Sequence, residues 1–364
     1  MDLFPSSHFN ALLWSTTLLF SLCSPCLIAN SDDSTTQTTP CSESDAYHNL
    51  NVVLNPNGTL TRLSPPSPVS PPSPDPNLHI SVLSNDFPIN PSKHTWLRIF
   101  VPRNAILSKK KLPLVIFFHG GGFIFLSAAS TMFHDFCFNM ADDLGAVVVS
   151  VEYRLAPEHR LPAAYDDAME ALDWIKTRPA DGGWLSLYAD YSECYLMGSS
   201  AGGNIAYYAG LRAAGQVENH EPLRIRGLIL VQPFFGGIKR TRSELRLMSN
   251  KRLPLCVADL LWKLSLPEGG DRDHEYCNPM AGEGPERVER IGRRGWRVLV
   301  TGTGGDPLVD RQKEVMKMME ERKVKVGGHF TEGGYHGIQD SDLQKAKELY
   351  AVVKKFISSC TATE

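Results

Sequence analysis

The sequence predicts an α/β protein: a mostly parallel sheet flanked by helices, with a helical cap over the sheet's carboxyl edge. Three observations carry this prediction. Six short apolar runs, "TWLRIFV", "LPLVIFFH", "AVVVSV", "CYLMG", "GLILVQP" and "WRVLVTG", follow one another from Thr95 onward, most of them rich in β-branched or aromatic residues. Helical stretches lie between several of them, and near-continuous apolar strands alternating with amphipathic helices require a sheet covered on both faces. Residues 236 to about 282 then break the rhythm, with helical pieces and no buried strand, between the strand ending at Pro233 and the strand at Trp296. An insertion at that point is placed to cover a pocket.

Composition sets the outer bounds. The 364 residues, 42 % hydrophobic and 21 % charged, suit a globular chain with a large core. A net charge of -3 with scattered Lys and Arg offers no basic stripe, which argues against a nucleic-acid partner. The eight cysteines are too evenly spread for a paired metal module or a dense disulfide scaffold, so most read as inert thiols. Cys23 and Cys26 share CxxC spacing but lack a second pair.

Taken in order, residues 1–29 contain the apolar stretch that begins at Ala11 and ends in small residues near Ala29. It reads as a weak secretory signal, too short and interrupted to span a bilayer. No Lys or Arg precedes Arg62, so the alternative is an uncleaved extension on a cytoplasmic chain. Asn57-Gly58-Thr59 is a glycosylation acceptor only on the secretory reading. Residues 30–44 read as a flexible polar lead-in. The folded domain is expected over 45–360, with cap elements at about 43–63 and 236–282. "SPPSPVSPPSPDP" at 64–76 is an extended surface linker, because its prolines cannot join a sheet interior. In "AAYDDAMEALDWIKTRP", Ala168, Ala171, Leu172 and Ile175 make one apolar helix face, and Pro179 stops the helix.

The chemistry gathers where strands end. Gly198-Ser199-Ser200-Ala201-Gly202 joins the strand "CYLMG" to the helix "AGGNIAYYAGLRAA". A turn that sharp strains its central residue and brings strand and helix so close that only small residues fit two positions either side. Ser200 is thereby held out at the tip, before a helix whose free N–H groups favour developing negative charge. A Gly-x-Ser-x-Gly match arises by accident in roughly one chain in eight of this length, so the context has to carry the assignment. "FFHGGGF" at 117–123 supplies it, since three glycines after a strand suit a backbone that aims N–H groups at a ligand. Gly121, Gly122 and Ala201 are the expected oxyanion donors, and His119 is expected to brace the loop.

A serine hydroxyl needs a base within hydrogen-bond reach and an acid to orient that base, here in the chain order serine, acid, histidine. Asp306 follows the strand "WRVLVTG", and His336 lies in "GGYHGIQD" after a short strand. Asp310 is the rival acid, expected instead to cap the helix "DRQKEVMKMMEERK". His329 is the rival base, expected to pack or point to solvent. His134, His159 and His274 are expected to be surface or structural residues.

These motifs, "HGGGF", "VEYRLAPEHRLPAAYDDA", "GSSAGGNIA", "GDPLVDRQ" and "YHGIQ", occur in an order that resembles the plant carboxylesterase branch of the hormone-sensitive-lipase-like group, within the α/β-hydrolase superfamily. The resemblance spans roughly residues 45 to 360. It implies an α/β-hydrolase fold, with Ser200 as nucleophile, Asp306 as acid, His336 as base, and Gly121, Gly122 and Ala201 as oxyanion hole. It also implies cap elements from the N-terminal segment and the insertion. Many relatives carry an acidic residue just before the nucleophile, where this chain has Ser199.

The expected function is hydrolysis of small-molecule carboxylic esters through a serine acyl-enzyme, with no cofactor and no metal. Two alternatives stand beside it: lyase or cyclase chemistry on a plant specialised metabolite, and ligand binding like that of the gibberellin receptors. The receptors have lost the catalytic histidine, whereas His336 is present here. No integral membrane span is expected, and oligomeric state is left open by the sequence.

Overall fold

Apolar runs that alternate their side chains between two helical layers account for the centre of the molecule. The computed structural model describes residues 41–178, 182–216 and 221–361, all within one compact unit, residues 37–364. The expected signal segment and Cys23 and Cys26 lie outside the described residues, as do most of the lead-in and Pro179.

In chain order the strands are β1 (Val52–Leu54), β2 (Leu60–Arg62), β3 (Val82–Asn90), β4 (Thr95–Pro102), β5 (Leu112–Phe118), β6 (Val147–Glu152), β7 (Ala189–Ser199), β8 (Ile225–Val231), β9 (Arg297–Thr303) and β10 (Lys325–Thr331). The helices are α1 (Glu43–Leu50), α2 (Arg103–Ser108), α3 (Thr131–Leu144), α4 (Ala163–Lys176), α5 (Trp184–Tyr188), α6 (Ala201–Gly215), α7 (Arg242–Arg246), α8 (Leu255–Ser265), α9 (Gly284–Arg293), α10 (Val309–Glu321), α11 (Ile338–Ser341) and α12 (Leu343–Thr361). Each of the six predicted runs forms a strand, β4 to β9.

The main sheet has the order β10-β9-β8-β7-β5-β6-β4-β3. It is parallel from β6 to β10 and antiparallel where β4 meets β6 and β3. Along β5, Leu114, Ile116 and Phe118 enter the core on one face while Val115 and Phe117 enter the core on the other, under α3 and α12. Both faces being covered is why the run reads as continuously apolar. The chain leaves β5 for β6 on one side and returns to β7 on the other, so the loops after β5 and β7 diverge at a topological switch point, where ligands bind in open α/β sheets.

The lead-in ends earlier than expected. Ser42 caps α1 and Asp45 closes the reciprocal bond to the Ser42 amide, so the Ser-x-x-Asp pattern starts a helix there. The proline-rich linker runs between β2 and β3 and is tied down by an isolated bridge from Val69 to Ser130. One cysteine pair departs from the expectation of inert thiols: Cys41, just before α1, is bonded to Cys256 of α8. Cys137, Cys194, Cys277 and Cys360 are free and buried. Among the described residues no helix is long and apolar enough to cross a membrane.

Candidate active site

The tight turn between β7 and α6 sets the geometry. A Cβ on Gly198 would stand 2.0 Å from the Gly202 carbonyl oxygen, and one on Gly202 would stand 1.9 Å from the Phe118 carbonyl oxygen. Neither contact is sustainable, so α6 lies this close to its own strand β7 and to the end of β5 only with hydrogen at these two positions. Between them Ser200 adopts φ 54° and ψ -116°, a conformation that costs on the order of 1–3 kcal/mol in a non-glycine residue and persists because the turn imposes it.

The structure brings Ser200, His336 and Asp306 into one hydrogen-bonded chain. Ser200 Oγ lies 2.7 Å from His336 Nε2, and His336 Nδ1 lies 2.8 Å from Asp306 Oδ2. The Asp306 side chain is fully buried, and its two oxygens also accept from the Leu308 amide and from Gln312 Nε2, both at 2.9 Å. Four lone-pair sites thus receive three donors, which fixes the carboxylate in orientation. Nδ1 of His336 then carries the proton, and Nε2 is left to accept from the serine. Burial lowers the proton affinity of His336, but the adjoining Asp306 carboxylate, its hydrogen bond and the nearby Asp340 outweigh that, so the net shift is upward.

The loop expected to hold the oxyanion donors follows β5. Gly121 has φ 115°, and a Cβ there would lie 2.1 Å from the Phe125 carbonyl oxygen. Its own carbonyl accepts from the Ile124 and Phe125 amides at 3.1 and 3.0 Å. The N–H groups of Gly121 and Gly122 make no hydrogen bond within the protein among the described residues, and Ala201 opens α6, where the first amides have no intrahelical acceptor. His119 lies behind this loop, as expected. Its Nδ1 donates to the Gly120 carbonyl at 2.8 Å, and its ring stacks on Tyr153 with centroids 4.2 Å apart. Burial drives its proton affinity down to about 4. Its Nε2 faces Glu152 Oε2 at 3.7 Å without a hydrogen-bond partner. Burial pushes Glu152 up to about 7, even though it accepts from the Ala128 amide and the Ser127 hydroxyl.

Three side chains that sequence reasoning did not single out complete the site. Gln232, after β8, donates to the Tyr335 carbonyl at 3.2 Å and accepts from the Gly337 amide at 2.8 Å, so it grips the chain on either side of His336. Gln312 steadies Asp306. Asp340, on α11, accepts the Ser199 hydroxyl at 2.8 and 3.1 Å through its two oxygens, and Gln339 donates to the same hydroxyl oxygen at 3.3 Å. A carboxylate therefore sits beside Ser199, supplied from near the far end of the chain. Burial raises Asp340 to about 6 against the pull of Ser199, His336 and Gln339.

The rivals are placed elsewhere. Asp310 is not the cap of α10: the helix starts one residue earlier, behind Leu308, and the Asp310 carboxylate accepts from the Ser243 amide at 2.8 Å. His329 is half-buried on β10, and His134 is buried against Arg98. His159 is exposed and His274 half-buried.

The insertion forms α7 and α8. On α8, the Trp262 ring stacks on Phe234 with centroids 4.6 Å apart and meets Phe123 at 5.5 Å, while Leu261 comes so near Gly122 that an added Cβ would touch it at 2.7 Å. Helix α8 therefore rests directly on the glycine loop after β5. A cavity of about 530 Å³ opens beside Cys41 and Cys256 but contains none of the residues above. Its Arg240 and Arg272 are already paired with Asp259, so it has little unspent charge for a ligand.

Residues 115–340 match the family model for the alpha/beta hydrolase fold. The chain is 50 % identical to Carboxylesterase 20 of Arabidopsis thaliana over 88 % of its own length and 98 % of the relative's. It is 45 % identical to a 3-O-acetylpapaveroxine carboxylesterase of Papaver somniferum over 86 % of its length and 99 % of the relative's. Among solved structures, an esterase from Pyrobaculum calidifontis superposes with a TM-score of 0.65 at 25 % identity, covering 79 % of this chain and 87 % of that one.

Proposed function

Since this chain belongs to the α/β-hydrolase family, in the branch of the plant carboxylesterases, we propose that it hydrolyses small-molecule carboxylic esters through a covalent acyl-serine. The observation that carries this reading is the unbroken chain from Ser200 through His336 to Asp306, with linking distances of 2.7 and 2.8 Å, beside two unpaired loop amides.

Ser200 Oγ attacks the ester carbonyl as its proton passes to His336 Nε2. Asp306 holds the imidazole in the tautomer that can accept this proton and stabilises the imidazolium that results. The carbonyl oxygen, now negative, receives the N–H groups of Gly121, Gly122 and Ala201, each worth roughly 3 kcal/mol of transition-state stabilisation. His336 returns the proton to the leaving alcohol, then takes one from the water that attacks the acyl-serine and hands it to Ser200 Oγ as the acid leaves. Gln232 keeps the His336 loop in register for both transfers.

We assign Asp340 as a positioning residue. It ties the Ser199 hydroxyl, in the residue next to the nucleophile, to the short helix that follows His336, and its negative charge favours the imidazolium. Besides Ser199, Gln339 and His336, the titratable groups that sense it are Cys137 of α3 and Tyr350 of α12.

A serine-directed phosphonate, followed by peptide mapping, tests the assignment together with turnover of short-chain p-nitrophenyl esters. Label on Ser200, and loss of both label and turnover in Ser200→Ala, are expected. Label on Ser199, or unchanged turnover in Ser200→Ala, would overturn it.

A further inference from the structure

Asn57-Gly58-Thr59 is the one Asn-x-Ser/Thr triplet in the 364 residues whose middle residue is not proline, since Asn90-Pro-Ser92 is barred by its proline. The structure puts it at the tip of the β1–β2 hairpin, where Pro56, Asn57 and Gly58 are exposed. The base of that hairpin is held firmly. Val52 and Leu60 are buried, the Leu60 amide and the Arg62 guanidinium both bond Glu158, and Arg62 also donates to the Ile124 carbonyl at 2.9 Å. A bulky group at the tip therefore meets no packed surface, while the other end of the hairpin stays docked.

The local geometry also suits the amide chemistry. Asn57 Oδ1 accepts from both the Thr59 amide, at 3.1 Å, and the Thr59 hydroxyl, at 2.7 Å, whereas its Nδ2 makes no hydrogen bond among the described residues. Two donors on the oxygen draw electron density from an amide whose nitrogen is free. The turn closes within five residues, from the Asn55 amide to the Thr59 carbonyl at 2.8 Å, so it needs no distant part of the fold.

A second observation, independent of the triplet, concerns the compartment. Cys41 and Cys256 lie 215 residues apart and are joined with a Cα–Cα distance of 5.7 Å, well inside the range a disulfide spans. Such a bond forms and persists where the environment is oxidising, as in the secretory lumen. Residues 11–29 are the chain's own candidate for entry into that lumen.

We propose that Asn57 is an N-glycosylation site, modified in the same lumen in which Cys41 and Cys256 are joined. Asn57 Nδ2 forms a bond to the anomeric carbon of a lipid-diphosphate-linked oligosaccharide. The anomeric carbon–oxygen bond breaks, the lipid diphosphate leaves with that electron pair, and the amide gives up one proton. The proposal does not depend on the esterase mechanism, because neither the triplet nor the disulfide touches the reacting atoms.

The test is expression of the full 364-residue chain in plant cells, followed by mass spectrometry of its peptides before and after peptide N-glycosidase. Wild type and Thr59→Ser are expected to carry an oligosaccharide on the Asn57 peptide, which the enzyme removes, leaving Asp at that position. Asn57→Gln and Thr59→Ala are expected to lack it while retaining esterase turnover, which shows that they fold. Non-reducing digestion should recover Cys41 linked to Cys256. An unmodified Asn57 in wild type overturns the site whether or not the disulfide is present. Free thiols at 41 and 256 overturn the shared compartment.

Discussion

His119 and His336 occupy loops at the same carboxyl edge, one behind the glycines after β5 and the other against Ser200, yet the molecule moves their proton affinities in opposite directions. Both are desolvated, which disfavours the charged ring. His336 has an ionised carboxylate bonded to Nδ1 at 2.8 Å, and its affinity rises. His119 gives its Nδ1 proton to a backbone carbonyl, its nearest carboxylate stands 3.7 Å from Nε2, and its affinity falls to about 4. What separates a proton carrier from a brace is the state of the partner. The Asp306 carboxylate receives three donors, whereas Glu152 is pushed up to about 7 by burial and holds its own proton below that.

The largest test of this contrast replaces each ring. His336→Ala should lower kcat by about a millionfold. His119→Phe should cost less than the roughly 100- to 1000-fold of losing an oxyanion donor, with its main effect in thermal unfolding, because the Gly120 carbonyl loses its partner. Comparable kcat losses in the two variants would erase the distinction.

Asp306→Asn comes next. It should cost about 10,000-fold in kcat with little change in unfolding temperature, because the amide favours the wrong imidazole tautomer. A smaller effect concerns the acid limb of the rate profile. Activity needs neutral His336, so it falls as pH drops through that group's raised pKa. Asp340→Asn removes one of the charges that raise it and should move the limb to lower pH by about one unit or less. A limb that stays in place or moves upward would refute the assignment of Asp340.

The smallest effect is in stability against pH. His119 has a folded affinity below the usual 6.5, so its contribution is complete above 6.5 and is lost as pH falls toward about 4. Glu152 has a folded affinity above the usual 4.5, so its contribution is complete below 4.5 and is lost as pH rises through about 7. The two slopes oppose each other over the shared window. Glu152→Gln should therefore leave a protein that weakens on acidification from 6.5, and His119→Phe one that weakens as pH climbs from 4.5, each by roughly 3 kcal/mol at most over its window. Chemical denaturation at stepped pH reads both slopes, and slopes of the same sign would refute the pairing.

Legibility in the sequence followed how local the physical constraint is. Gly198 could be read because the backbone of Gly202, four residues on, excludes any side chain there, and β4 to β9 because strands covered on both faces are mostly apolar. Strand β3 was not singled out, since six of its nine residues are partly or fully exposed, and β10 was faint because "KVGGHFT" carries two glycines and sits at an edge. Gln232, Asp340 and the partner of Cys41 were out of reach for a different reason. Each is defined by a contact more than 100 residues away, and no periodicity or spacing encodes which distant groups will meet.

The seat of α8 has a practical consequence for engineering. With Trp262 wedged between two phenylalanines and Leu261 against Gly122, a redesigned ceiling would carry the anion-binding amides along with it. Selectivity in this protein is therefore best altered from α8 positions that face neither ring nor glycine. Wholesale exchange of the insertion with a relative should trade away rate along with preference.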